Sequence, residues 1–325
     1  MSKKIKIGFY TKFHKGSLNT PHNVIGDELY AESICRYLKK FDEVEDAQLY
    51  AANYKPGAKL DVMVYLNDTQ PDLNWAFKHV LYMQNGYNSS SESVLKELRQ
   101  NNYDGYAFVS NKLLSLHKKD GKQGIFIPFG VDLDTFRPQN FEKQYCFDVA
   151  YVGNDIKGEF RTKKYLMPAV KFNFGLFGNW PLTHPLHRYK FWKNWDIPAY
   201  VTKLNKISRG KLPQEKLPVL YSSSKININF TLQDCVDWDV ITLRTFEVLA
   251  CKGFLISDKV SIAEKLLEGC VVFTDGDNDL IEKIEYYLSH EKERGDISLN
   301  GYNYVIKNAS VESRARELLN YLRGI

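Results

Sequence analysis

Short runs of apolar and β-branched residues alternate along this chain with stretches whose apolar positions recur at helical spacing. In the first half the runs are Ile5–Tyr10, Val62–Leu66, Val80–Met83, Tyr106–Val109 and Ile125–Ile127. Each is apolar at successive positions and only a few residues long, which is the pattern of a strand covered on both faces. Between them, Asp27–Lys40 sets Leu29, Ser33, Ile34 and Leu38 on one helical face, and Ser93–Gln100 does likewise with Val94, Leu95 and Leu98. A second series follows at Val149–Val152, Phe172–Phe177, Ile226–Phe230, Phe254–Ser257 and Val271–Thr274, again with helical patterns between. Strand and helix in alternation predict parallel sheets covered by helices, an α/β fold in two Rossmann-like halves.

The two series are separated by Pro128-Phe-Gly-Val-Asp-Leu-Asp-Thr-Phe-Arg-Pro138, and polar sequence continues to Gln144. Proline, glycine and closely spaced aspartates mark a linker there. Near the end, Asp279 followed three residues later by Glu282 predicts a capping box ahead of an Ile281, Ile284, Leu288 stripe. A final helix is predicted over Val311–Leu322 from Leu318, Leu319 and Leu322, with Arg314 and Arg316 on its polar side.

The length of 325 residues suits two domains. Lys and Arg total 44 against 39 Asp and Glu, a net charge of +5 that favours phosphate-bearing partners without the basic excess of a nucleic-acid binder. Five widely spaced cysteines with no C-x-x-C pair argue against a disulfide framework or zinc site, and a reducing cytoplasm is the expected setting. The lysine-interrupted N-terminal stretch has no signal-peptide core, and no apolar run reaches the ~18 residues of a membrane span. Membrane contact is therefore expected to be peripheral, at the inner face, where eight basic residues between Arg188 and Lys216 oppose only Asp196 and Glu215.

Candidate chemistry concentrates at Asp239-Val-Ile-Thr-Leu-Arg-Thr-Phe-Glu247. A helix beginning near Ile241 turns its free N–H groups, with Thr242 and Arg244, toward an anion such as a pyrophosphate, and Glu247 can accept from ribose hydroxyls. Taken alone, Arg244 and Glu247 read better as an i,i+3 surface pair. Lys157 and Arg161, after the Val149–Val152 run, are candidates for a phosphate clamp, and Trp180, at the end of another run, for stacking on a base or sugar. Asp237-Trp-Asp239 has the D-x-D spacing that can hold a metal-bound nucleotide sugar, but it occurs too late in the chain for that use, and no metal is expected. His184 and His187 lack a third ligand. His14, with His22 in a loop after the first run, is a candidate base. There is no G-x-S-x-G, P-loop or G-x-G-x-x-G.

Asp239-x7-Glu247, with Leu249-Ala250-x-x-Gly253 and a hydrophobic run, resembles the E-x7-E donor-site motif of glycosyltransferases of the glycosyltransferase-B fold. Arg244-x-Phe-Glu-Val-Leu-Ala-Cys-Lys-Gly-Phe-Leu-Ile-Ser-Asp258 resembles the signature of the spore-maturation-type (CgeB-like) group, as do Phe129–Pro138 and Leu217–Phe230. The resemblance is specific from about residue 129 onward and weaker before it, where Gly26, in Asn23-Val-Ile-Gly-Asp-Glu28, is the best match to a glycine-rich acceptor-side loop.

It implies two Rossmann-like domains facing a cleft: residues 1–138 for acceptor, 139–309 for nucleotide sugar, and 310–325 as a helix packing back on the first domain. It implies transfer of a sugar from a nucleotide-diphosphate sugar to a hydroxyl of a glycan or glycolipid, with no cofactor and no metal. Lys157, Arg161, Trp180, Asp239, Thr242, Arg244 and Glu247 would bind the donor. Asn85 stands where such families often carry a catalytic His, so Asn85 and His14 are the catalytic candidates, with retention and inversion both open. A sugar-nucleotide epimerase of the same architecture and a non-catalytic nucleotide-sugar binder are the alternatives.

Overall fold

The apolar runs of the first half lie side by side as parallel strands. The structure, a computed structural model, describes residues 3–12, 26–67, 69–84, 96, 98–182 and 197–325. Strands β1 (Ile5–Thr11), β2 (Val44–Ala51), β3 (Leu60–Leu66), β4 (Ala76–Met83), β5 (Gly105–Phe108) and β6 (Ile125–Phe126) form one sheet in the order β2-β1-β3-β4-β5-β6. Every pairing is parallel. Strand β2 is absent from the sequence-based expectation. Its Glu45, Asp46 and Gln48 break the apolar run, and it can carry them because it is an edge strand, with Glu45 in solvent.

By its internal contacts the chain divides into two units. The first comprises residues 1–132, 237–240 and 309–325; the second comprises 133–236 and 241–308. The passage at Asp132 and Leu133 lies inside the linker-like segment, ahead of the 138/139 boundary expected from sequence. Residues 237–240 lie in the first unit, so 139–309 is not one uninterrupted body.

In the first unit, α1 (Gly26–Leu38) buries Tyr30, Ala31, Ile34 and Leu38, and it packs on α11 (Val311–Leu322). Helix α11 buries Val311, Ala315, Leu318, Leu319 and Leu322, and its Ser310 N-cap accepts from the Ser313 N–H at 3.1 Å. The chain's exit and return are clasped together: the Val131 N–H donates to Ala309 O at 2.8 Å, and the Val311 N–H to Val131 O at 2.9 Å. Gly130 permits the approach, since a Cβ there would stand 2.8 Å from Ser310 O. Helix α2 (Asn111–Lys119) is capped by Ser110, whose Oγ accepts from Leu113 N at 3.1 Å and donates to Trp238 O at 2.5 Å. Together with Lys112 Nζ on Asp237 O (2.9 Å), this fastens residues 237–240 to the first unit.

The second unit holds β7 (Val149–Val152), β8 (Phe174–Phe177), β9 (Ile226–Asn229), β10 (Leu255–Asp258) and β11 (Val272–Thr274), parallel throughout in the order β11-β10-β9-β7-β8. The chain runs from β7 to β8 on one side and then returns to β9 on the other, so the direction of winding reverses between β7 and β9. Helices α3 (Glu159–Tyr165), α4 (Ala199–Ile207), α5 (Leu217–Ser223), α6 (Gln233–Asp237), α7 (Leu243–Ala250), α8 (Ser261–Leu266), α9 (Asp277–Ser289) and α10 (Glu291–Asn308) complete the α/β pattern. Helix α9 starts before the predicted capping box, at Gly276 (φ 82°). Asp279 is therefore inside the first turn, where its carboxylate accepts from Thr274 Oγ1 (2.6 Å) and the Asp275 N–H (2.9 Å). Among the described residues no helix is long and apolar enough to cross a membrane.

Candidate functional site

In an open parallel sheet a ligand crevice forms beyond the carboxyl ends of the strands where the winding reverses. In the second unit that point lies beyond Val152 and Asn229, and polar groups gather there. Lys157, on the segment after β7, is half-buried, and its Nζ donates to the Phe230 carbonyl just beyond β9. The ammonium lies 4.4 Å from the Phe230 ring centre and 5.4 Å from that of Tyr151. Burial, and then the nearby Arg244 cation, push Lys157 well below the usual lysine range.

Arg244, in the first turn of α7, lies over the other cation-facing ring, Tyr151, at 5.7 Å, and its Nη1 donates to Asn229 Oδ1 at 3.1 Å. Among the described residues neither cation is ion-paired to a carboxylate. Two half-buried positive charges of like sign repel one another and call for an anion. Thr242 is the residue before α7; its Oγ1 makes no bond to the helix backbone and instead accepts from Asn229 Nδ2 at 3.3 Å.

One turn beyond Arg244, Glu247 is half-buried and has no hydrogen bond or ion pair among the described residues. Burial pushes its carboxyl up to about 7, against the lowering influence of Arg244. The Tyr221 hydroxyl is buried beside Arg244 and Glu247, and burial followed by the Glu247 charge pushes it up as well. Helix α7 ends in a left-handed turn at Lys252 (φ 55°): the Gly253 N–H donates to Val248 O and the Lys252 N–H to Leu249 O, both at 3.0 Å. This closure fixes the helix that carries Arg244 and Glu247 against β10.

Arg161 has a different setting from the one read in sequence. Its guanidinium is buried and paired with Asp258, and it donates to Thr231 O (2.7 Å) and Gln233 Oε1 (2.9 Å). Asp258 also accepts from the Thr231 N–H (3.0 Å) and Oγ1 (2.8 Å). The donors of Arg161 thus hold the turn after β9 rather than facing outward as a clamp. Trp180 is likewise a core residue, 5% exposed, edge-on to Tyr151 at 6.3 Å, with its Nε1 buried and unpartnered. Asp239 lies in the first unit, half-buried, with a left-handed backbone (φ 63°). The structure therefore brings Lys157, Thr242, Arg244 and Glu247 together and divides the Asp239-x7-Glu247 motif between units. Gly26 is the exposed first residue of α1. His14, Asn85, His184 and His187 lie outside the described residues, as does half of Ser93–Gln100, including Val94 and Leu95. Among the described residues no group of His, Cys, Asp and Glu is arranged to hold a metal ion.

Residues 161–320 match the sequence model of the glycosyl transferase-like family. Sucrose-phosphate synthase from Thermosynechococcus elongatus superposes with a TM-score of 0.69 at 13% identity, covering 99% of both chains. Anabaena Alr3699/HepE, solved with UDP and glucose, gives 0.67 at 12% identity over 99% of this chain and 100% of that one. T4 phage BGT, solved with UDP-glucose, gives 0.59 at 13% identity over 98% and 99%. The chain has the glycosyltransferase-B fold. No curated protein matches it in sequence. The residue of this site that sequence reasoning missed is Asn229. Its signal is present, as a buried polar side chain at the end of Ile226-Asn-Ile-Asn, a strand otherwise built for the core.

Proposed function

We propose that this protein is a glycosyltransferase that takes its sugar from a nucleotide-diphosphate sugar and passes it to a hydroxyl of a glycan or glycolipid acceptor, without a required metal ion. The observation that carries the reading is the pairing, at one sheet edge of the second unit, of two cations lacking counter-ions, Lys157 and Arg244, with an unpartnered carboxylate, Glu247. A diphosphate meets the first need and a pair of ribose hydroxyls the second. As the bond from the sugar's anomeric carbon to the diphosphate oxygen breaks and the acceptor hydroxyl oxygen bonds in its place, the hydroxyl proton passes to the leaving diphosphate or to water and negative charge collects on the leaving group. Lys157, Arg244 and the free N–H groups at the start of α7 would stabilise it there. Acceptor recognition falls to the first unit. UDP and glucose in the Anabaena protein, and UDP-glucose in the phage protein, make a uridine donor the first to try.

Release of nucleoside diphosphate from a panel of nucleotide sugars, with and without excess chelator, tests this. Slow donor hydrolysis that survives chelation supports the reading. Binding of no nucleotide sugar overturns it, epimer formation replaces it with an epimerase, and chelator loss rescued by Mn²⁺ returns the Asp237-Trp-Asp239 metal reading.

A further inference from the structure

We infer that Asn229 is a positioning residue for the anion site, acting through Arg244 and Thr242; the inference rests on the diphosphate reading above. The Asn229 side chain is 3% exposed and uses both ends of its amide. Oδ1 accepts from Arg244 Nη1 at 3.1 Å, while Nδ2 faces Thr242 Oγ1 at 3.3 Å and Thr245 Oγ1 at 3.4 Å. One side chain at the end of β9 thus sets two things on α7.

The first is the direction of Arg244. A neutral carbonyl oxygen fixes one nitrogen of the guanidinium without cancelling its charge, whereas a carboxylate in the same place would form a buried ion pair and spend that charge inside the protein. The second is the state of the helix start. A threonine in the N-cap position ordinarily turns its hydroxyl onto the first-turn N–H groups. Here the Thr242 hydroxyl is held on Asn229 and makes no such bond; the Thr245 N–H donates to Thr242 O at 3.1 Å, and the Leu243 and Arg244 N–H groups remain for a ligand. Asn229 therefore keeps both the charge and the helix start free for an anion while touching neither the anion nor the sugar.

The test uses inorganic pyrophosphate and UDP as probes, with calorimetric affinities for the full chain and for Asn229→Ala, Asn229→Asp, Arg244→Ala and the Asn229→Ala/Arg244→Ala double variant. Loss of an oriented hydrogen bond to a charged group predicts about tenfold weaker binding in Asn229→Ala. Asn229→Asp should be weaker still, because Arg244 is neutralised. The double variant should bind as Arg244→Ala does, since one residue acts through the other. A merely structural role would shift thermal midpoints and give losses that multiply. Unchanged affinity in both Asn229 variants, or multiplying losses, overturns the inference. If Arg244→Ala itself leaves pyrophosphate affinity unchanged, the diphosphate reading fails and this inference falls with it.

Discussion

The hydroxyl of Tyr321 accepts the backbone N–H of Tyr106 at 2.9 Å, a bond between residues 215 apart in the chain. It joins α11 to the start of β5, where Gly105 leaves no space: a Cβ would stand 2.6 Å from Ile325 Cδ1 and 3.0 Å from the Tyr321 hydroxyl. Removing the acceptor leaves a strand N–H without its partner. Tyr321→Phe should therefore destabilise the first unit by about 1–2 kcal/mol. The midpoint of urea unfolding checks this, and an unchanged midpoint would count against a structural role for the bond.

His117 is 1% exposed, tilted against the rings of Tyr106 (4.4 Å) and Phe108 (5.1 Å), and neither of its nitrogens has a partner. Burial, then Lys122, pushes it down from 6.5 to about 4. The unfolded chain accordingly binds a proton that the folded chain refuses, so stability falls as pH drops from about 6.5 to about 4. The full difference is about 3 kcal/mol. His117→Phe should lack this loss. Parallel unfolding curves for the two proteins between pH 7 and 4 would refute the assignment.

Glu247 accepts hydroxyl hydrogens only as a carboxylate, and its carboxyl is pushed up to about 7. Affinity for UDP-glucose, whose diphosphate stays ionised throughout, should rise as pH rises through about 7. It should fall again at higher pH as Lys157, pulled down by burial, loses its proton. Glu247→Gln should remove the acid limb and leave the basic one. The same variant should be more stable than the parent at pH 8, because it no longer holds a half-buried charge there. Titration of affinity across pH 5.5 to 9, alongside thermal midpoints, separates the two effects.

Arg161 and Asp258 are an enclosed pair, so removing either partner strands the other. Arg161→Met and Asp258→Asn should each cost about 3–5 kcal/mol in stability. If Arg161 instead served as a phosphate clamp, Arg161→Lys would lower pyrophosphate affinity while leaving the melting temperature in place. The expected result is the converse, lower melting temperature with affinity retained in the folded fraction.

The parts of the fold visible in sequence are those where local pattern and tertiary setting agree. Val149–Val152 is apolar throughout because it is a central strand, and Val311–Leu322 shows its stripe because only one face of that helix is buried. Strand β2 was hidden because an edge tolerates Glu45 and Asp46. At the site, Lys157, Thr242, Arg244 and Glu247 were visible as charge and hydroxyl around a helix start. Arg161 and Lys157 look alike in sequence, four residues apart, and only the position of Asp258, far along the chain, separates a buried pair from a free cation. Asn229 stands out as a polar residue ending an apolar run, but its role was hidden for the same reason: what an asparagine amide does is decided by the helix that comes to rest against it. The spacing from Asp239 to Glu247 could not reveal that the backbone changes units between them.

The clasp of Val131 between Ala309 and Val311 also dictates an order of synthesis. Residues 1–132 leave the ribosome well before residues 309–325, yet α11, which packs on α1, and the Tyr321 bond to β5 are encoded in those last seventeen residues of the first unit. A nascent chain can finish the second unit, residues 133–236 and 241–308, while its N-terminal sheet still waits for that helix. Translation through residue 308 is thus a period in which the apolar face of α1 depends on chaperones or on delay, and a premature stop there yields a completed second half attached to an unfinished first.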